Sequence, residues 1–262
     1  MSPLPARPLA PAPPPAPTAL PAPRPARPLA LAVAGAVAFR LACFAAMVWL
    51  ALLAEARPAP HLPDALLARV PYVAWVDRWN YALWTVAYVP VALLLLARDA
   101  RRFCRYMVVS GLLALVRGAC ILATGLGPTR GADVNAGMDA AARLRAFAHL
   151  ASPVDVFGSD APHAYLTKDL FFSGHTATTL LLLLYVWRFP RLRAWMIAGH
   201  VLVVASVFLA HLHYTIDVVG AYAVTFSLFV LCEGELRRLL YGPGAGHHGP
   251  ADGVEKRPTR TP

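Results

Sequence analysis

Residues 29–54 read LALAVAGAVAFRLACFAAMVWLALLA. The run exceeds the roughly 20 apolar residues needed to cross a bilayer's hydrocarbon core. Its one charged residue, Arg40, is costly there unless it snorkels to an interface or finds a partner. The following Ala54-Glu55-Ala56 resembles a signal-peptidase site. A signal-peptide core, however, has only about 7–15 residues, so the run reads as a retained first span.

Five further apolar runs follow, at about Tyr81–Ala97, Met107–Gly125, Leu170–Trp187, Ala194–Leu212 and Ile216–Leu231. The second span is short or kinks at Pro90. The fold class expected is all-α: a polytopic membrane protein with six transmembrane helices in one bundle over 29–240. Composition agrees, with 58% hydrophobic and only 15% charged residues, against about 25% charged in soluble domains. Residues 1–28 hold twelve prolines and no acidic residue, the composition of a disordered Pro-rich tail. Residues 241–262 read as a flexible C-terminal tail.

Charge sets the orientation. Arg98, Arg101, Arg102 and Arg105 follow the second span; Arg188, Arg191 and Arg193 follow the fourth; Arg237 and Arg238 follow the sixth. Short arginine-rich loops stay cytoplasmic, so both termini are expected in the cytoplasm and 127–169 outside, with a short surface helix near 136–150. The Ala-, Arg- and Pro-rich usage hints at a GC-rich bacterial genome, hence a bacterial inner membrane with a periplasmic active site. The net charge of +10 lies in these flanking arginines. It forms no basic stripe interleaved with aromatics, so nucleic acid is not an expected partner. Cys43, Cys104, Cys120 and Cys232 lack metal-site or disulfide spacing and read as small buried residues. Oligomeric state is not encoded in any of these features.

Two segments carry chemistry. One is Asp169-Leu170-Phe171-Phe172-Ser173-Gly174-His175-Thr176, entering the fourth span. The other is His211-Leu212-His213-Tyr214-Thr215-Ile216-Asp217, between the fifth and sixth. The topology brings both to the outer face. A histidine can attack phosphorus and form a covalent intermediate, provided one ring nitrogen is free and the other is held by an acceptor. If 213–217 is helical, His213 and Asp217 share a face and can meet. A second histidine can protonate a leaving alkoxide and later activate the acceptor. Ser173 and the N–H groups around Gly174 sit at a helix start, which favours anions.

The other histidines read differently. His211 is an interface residue. His61, His149 and His163 are loop residues, His200 lies mid-span in the core, and His247-His248 belong to the tail. Arg117 sits inside the third span, paired with an acid or lipid phosphate, or purely structural.

At these residues the chain resembles a known family. Ser173-Gly174-His175, and Ser206 followed by His213 and Asp217, resemble the second and third signatures of the type 2 phosphatidic acid phosphatase superfamily. FFSGHTATT and AHLHYTIDVVGAY resemble the catalytic motifs of its sphingomyelin synthase-like branch, and Arg117-Gly118 weakly resembles another. The resemblance implies a six-helix membrane domain, an extracytoplasmic site, and no metal or other cofactor. It makes His213 the nucleophile, Asp217 its orienting acid and His175 the general acid and base. Ser173, Gly174, Arg117, Asp169 and Tyr214 complete the candidate set as substrate-binding residues.

The superfamily's first signature, a lysine with a downstream Arg-Pro, is not recognisable here, and Val207 replaces the arginine usual after the serine of the third. Thr167-Lys168 stands where the branch usually has Cys-Gly. Fewer cations suit a singly charged phosphodiester better than a dianionic monoester. The expected reaction transfers a phospholipid's phosphoryl-headgroup through a phosphohistidine to a lipid alcohol, ceramide or diacylglycerol, or to water. The alternatives are a phosphatase acting on phosphatidic acid or an isoprenoid pyrophosphate, and a non-catalytic lipid-binding or transport protein. A metal site built from His211, His213 and Asp217 is a weaker fourth reading.

Overall fold

The computed structural model describes residues 27–151 and 165–235. The tail over 1–26, His163, and everything from Arg237 through the C-terminal tail lie outside the described residues. Within them the chain forms seven α-helices: α1 (Arg27–Glu55), α2 (Ala74–Arg98), α3 (Ala100–Ala123), α4 (Ala140–Ala151), α5 (Gly174–Val186), α6 (Pro190–Leu209) and α7 (Thr215–Val230). A 3-10 turn, Leu67–Arg69, lies between α1 and α2, and a π turn, Leu231–Glu235, ends α7. Five helices are long and apolar enough to span: α1 from Leu29, α2, α3, α6, and α7 continued through Gly234. The protein is therefore an integral, multi-pass membrane protein.

The helix starts differ from the sequence expectation in instructive ways. α1 already includes Arg27 and Pro28, because proline is tolerated in a helix's first turn. α2 starts at Ala74, before Tyr81, because its polar first turns are partnered: Asp77 accepts from the Tyr72 hydroxyl at 2.8 Å. It is neither short nor interrupted; Pro90 lies within its 25 residues, on the exposed side. α3 starts at Ala100, where Asp99 caps it by accepting from the Arg102 N–H at 3.0 Å. The surface helix expected near 136–150 is α4.

The fourth apolar run departs most. Its helix, α5, begins only at Gly174 and has 13 residues, about 20 Å of rise. That is short of the roughly 30 Å hydrocarbon core. Leu170, Phe171 and Phe172 are apolar because they fill the protein interior, not because they extend the helix. Leu170 and Phe172 are buried, and the Phe171 ring lies over Gly220, where an added Cβ would come within 2.6 Å of it.

α5 is the central helix, packed against α2, α3, α6 and α7, while α1 lies along α3. One end of the bundle gathers the end of α1, α3 and α6 and the start of α2, α5 and α7, with a Val73 N–H to Leu209 carbonyl bond of 2.8 Å. At the opposite end Asp99 pairs with both Arg102 and Arg188, and Arg102 donates to the Tyr185 carbonyl at 3.0 Å. Trp75 and Trp79 are exposed near the first end, Trp187 and Trp195 near the second, as aromatic belts at two interfaces would be. Arg40, mid-span, has found its partner: its Nε donates to Ser110 Oγ at 2.8 Å.

Close packing of α1 on α3 depends on Gly118. A Cβ there would meet Met47 Cα at 3.1 Å and Leu50 Cδ1 at 2.9 Å. Gly118→Ala is expected to destabilise the fold by about 1–3 kcal/mol. Gly35→Ala, where an added Cβ meets nothing within 4 Å, is expected to cost nothing. Thermal unfolding of both variants in detergent checks the contrast.

Candidate active site

The two chemical segments meet at one end of the bundle. The backbone N–H of Ser173 donates to the Asp217 carbonyl at 3.0 Å, which joins the start of α5 directly to the first turn of α7. The His175 and His213 rings meet edge to face, 65° between planes, with centroids 6.5 Å apart. His213 and Asp217 are buried at 4% and 0% exposure, and His175 is half-buried. His213 is therefore shielded by protein while His175 opens towards the surface.

His213 and Asp217 do meet, but not as two residues of one helix. α7 begins at Thr215, and His213 precedes its N-cap residue, Tyr214. Asp217 occupies the third helical position, where a carboxylate reaches back to the cap, and its Oδ2 accepts from the Tyr214 N–H at 2.9 Å. The same Oδ2 lies 3.4 Å from His213 Nδ1. That is ion-pair range without hydrogen-bond alignment, and neither His213 Nδ1 nor Asp217 Oδ1 has a hydrogen bond among the described residues. Long contacts of this kind tighten when substrate binds.

Ser173 caps α5, with Oγ accepting from the Thr176 N–H at 3.4 Å and its hydroxyl at 3.1 Å. Gly174 packs closely on its neighbour: an added Cβ would come within 3.1 Å of the Arg117 Cζ, and the guanidinium would have to give by a few tenths of an ångström. Arg117 commits its donors to the chain itself. Nε donates to the Phe172 carbonyl at 2.6 Å and Nη2 to the Asp169 carbonyl at 3.0 Å. Nη1 pairs with Asp169 Oδ1 at 2.7 Å and reaches Met47 Sδ at 3.4 Å. Arg117 and Asp169 thus grip the segment that carries His175. Tyr214 is buried, its hydroxyl 3.1 Å from both the Gly127 and Pro128 carbonyls, and it ties the site to the loop after α3. Burial holds its phenol above the usual value.

His211 does not join His213 and Asp217. It adopts φ 51°, and its Nε2 lies 2.9 Å from the Val70 carbonyl. Ser206 Oγ donates to the Val203 carbonyl within its own helix at 2.8 Å. His61 lies in a loop, its Nδ1 2.6 Å from the Pro128 carbonyl, and His149 stacks on Tyr165. The four cysteines form no disulfide.

Several residues escaped the sequence reading. Tyr81 and Trp84 of α2 flank the His175 ring, with centroids at 5.4 and 6.1 Å. Glu55, fully buried at the end of α1, accepts from Asn135 Nδ2 at 3.0 Å, Thr167 Oγ1 at 2.8 Å and the Lys168 N–H. Lys168 Nζ donates in turn to the Arg57 carbonyl at 2.7 Å and Asp133 Oδ1 at 2.6 Å. The available signal was an acidic residue closing an apolar run, which the likeness to a cleavage site obscured. Asp64 also holds α7: it accepts from the Thr215 N–H at 2.5 Å and its hydroxyl at 2.9 Å.

With this geometry in place, the comparisons with known proteins acquire a location. Residues 168–233 match the family described as PAP2 superfamily C-terminal. The match spans about a quarter of the chain and runs from Lys168 to the end of α7, so it takes in both histidines and Asp217. No curated protein matches the chain.

Two outcomes follow. Arg117→Ala strands the Asp169 carboxylate and two carbonyls, so it is expected to cost about 3–5 kcal/mol; Arg117→Lys restores the ion pair but not the fork. Chemical unfolding in detergent ranks wild type above Lys above Ala. Burial alone would raise the Asp64 carboxyl, but hydrogen bonds from Leu67, Thr215 and Leu66 outweigh it and hold the group below the usual carboxylate value. Its stabilisation is then present above the unfolded value of about 3.9 and lost as pH falls through the lower folded value. The stability gap between wild type and Asp64→Asn at pH 7 is expected to close in strong acid, as read by unfolding at a series of pH values.

Proposed function

We propose that the protein is a membrane enzyme that moves the phosphoryl-headgroup of a phospholipid to a lipid alcohol, ceramide or diacylglycerol, or to water, in the manner of sphingomyelin synthases. The observation that carries this reading is the His175–His213 pair, 6.5 Å between ring centroids, with the buried Asp217 behind His213. The match to the PAP2 superfamily supports lipid phosphate phosphatase or phosphotransferase chemistry in general. The likeness of FFSGHTATT and AHLHYTIDVVGAY to the sphingomyelin synthase-like motifs supports the narrower reading.

Asp217 orients His213 from the Nδ1 side and stabilises the ring as it becomes positive. The free nitrogen of His213 attacks phosphorus, and the bond to the glyceride oxygen breaks. That oxygen leaves with a proton from His175, giving diacylglycerol and a phosphohistidine that keeps the headgroup ester. His175, now basic, takes the proton of the acceptor hydroxyl, whose oxygen attacks phosphorus and releases His213. A phosphorus about 3 Å from the attacking nitrogen, with its leaving oxygen about 3 Å from the acid, suits a gap of this size. The first turn of α5 offers amide N–H groups to the phosphoryl oxygens.

On this reading α5 is a sixth crossing. Residues 169–173 complete its path as non-helical backbone, which a membrane interior tolerates where protein surrounds it. The arginine-rich end then faces the cytoplasm with both termini, and the histidines face the periplasm of a bacterial inner membrane. A second reading, a phosphatase acting on phosphatidic acid or an isoprenoid pyrophosphate, draws on the same superfamily match.

Purified protein given labelled phosphatidylcholine or phosphatidylethanolamine is expected to release diacylglycerol. His213→Ala is expected to fall to background and His175→Ala by about 10²–10⁴-fold. Turnover of His213→Ala at the wild-type rate would sink the proposal. Phosphate release from a monoester with no diester turnover would install the phosphatase.

A further inference from the structure

Both motif stretches continue past their chemical residues, and both run into the same side chain. FFSGHTATT ends at Thr179 and AHLHYTIDVVGAY ends at Tyr222. Thr179 Oγ1 lies 2.8 Å from Nδ1 of His200, and the Tyr222 hydroxyl lies 2.6 Å from its Nε2. His200 belongs to α6, outside both stretches, and is 6% exposed.

The Thr179 Oγ1 also lies 2.8 Å from the His175 carbonyl, with the Thr176 carbonyl farther off at 3.2 Å. Each ring nitrogen of His200 meets a hydroxyl that can donate or accept, so either tautomer satisfies both contacts. The imidazole thus links α7 through α6 to α5, next to the backbone of His175. An apolar side chain could fill this space, but it could not hold two helices at fixed distances and angles.

The position matters because α5 is short. Above its first turn, α5 hangs on residues 169–173, which Arg117 and the Ser173–Asp217 bond hold. One turn below His175, the His200 linkage is a second and independent hold, on the side facing α6 and α7. Resting on the proposed roles of His175 and His213, we propose that His200 is a positioning residue: it fixes α5 against α7, and thereby the separation of the two site histidines.

The test uses the full chain in detergent and two readouts. Carbethoxylation of His175 by diethyl pyrocarbonate, followed by mass spectrometry across pH, reports its reactivity without requiring turnover, with the exposed His61 as reference. Transfer from labelled phosphatidylcholine gives kcat and KM. His200→Phe is expected to shift the His175 modification rate by at least about threefold while His61 is unchanged, and to lower kcat by about ten- to a hundredfold with little change in KM. His200→Gln, which keeps a donor and an acceptor, is expected to recover part of the loss. Thr179→Val and Tyr222→Phe each remove one hydroxyl; they keep the question answerable if His200→Phe folds poorly, and each is expected to reproduce part of the effect. Wild-type kcat and His175 reactivity in these variants overturn the proposal. So does a loss of kcat that tracks the folded fraction while His175 reactivity stays constant. A wild-type protein that shows no transfer, yet whose His175 reactivity shifts in the variants, removes the proposed reaction and leaves the positioning role standing.

Discussion

The fold turns on one constraint: polar backbone placed inside an apolar bundle must find partners there. Residues 169–173 are not helical, so their N–H and C=O groups are not satisfied locally. Each unpaired group in so dry a place would cost several kcal/mol. Arg117 takes the carbonyls of Asp169 and Phe172, and Asp217 takes the N–H of Ser173. The guanidinium could not be buried without a carboxylate, and Asp169 supplies it at 2.7 Å from within the same segment. Arginine suits this post better than lysine, because its planar fork reaches two carbonyls and a carboxylate together.

Much else follows from that arrangement. Because 169–173 is not helical, α5 starts only at Gly174 and stays short, its N-terminus held level with the first turn of α7 by the Ser173–Asp217 bond. Gly174 lets the guanidinium lie close against it, and Gly220 must lack a Cβ so that Phe171 can fold under α7. The same Asp217 whose carbonyl fixes Ser173 sends its carboxylate to Tyr214 and towards His213. One residue therefore couples the geometry of both histidines. Farther out, Glu55 and Lys168 bind the start of this segment to the end of α1. α1, which contributes none of the candidate side chains, is thereby made part of the site's support.

The sequence was most legible where a single physical preference governs. Five of the six long apolar runs gave helices long enough to span, in the order expected. The alternation of spans brought His175, His213 and Asp217 to one end of the bundle. It was least legible where two preferences give the same signal. Leu170, Phe171 and Phe172 look like more of a lipid-facing helix, since hydropathy does not separate burial in protein from burial in lipid. The pairing of His213 with Asp217 was anticipated from helical spacing, yet it is reached through an N-cap. Either geometry puts residues four apart within reach. Glu55, Lys168 and Asp64 act through tertiary contacts with residues roughly thirty-five to a hundred and fifty positions away. No local pattern announces such contacts.

The commitment of Arg117 also bears on substrate charge. The Arg117 guanidinium lies against the first turn of α5, and it is already paired with Asp169. Asp217 adds a second carboxylate behind His213. A dianionic phosphomonoester would bring two negative charges to a place where carboxylates already balance or exceed the guanidinium. A phosphodiester brings one, which the amide N–H groups of the first turn of α5 can meet. On the proposed reading, residues that hold the fold in place leave little charge compensation for a monoester. On that reading, the same clamp that makes the site possible also tilts it towards headgroup transfer.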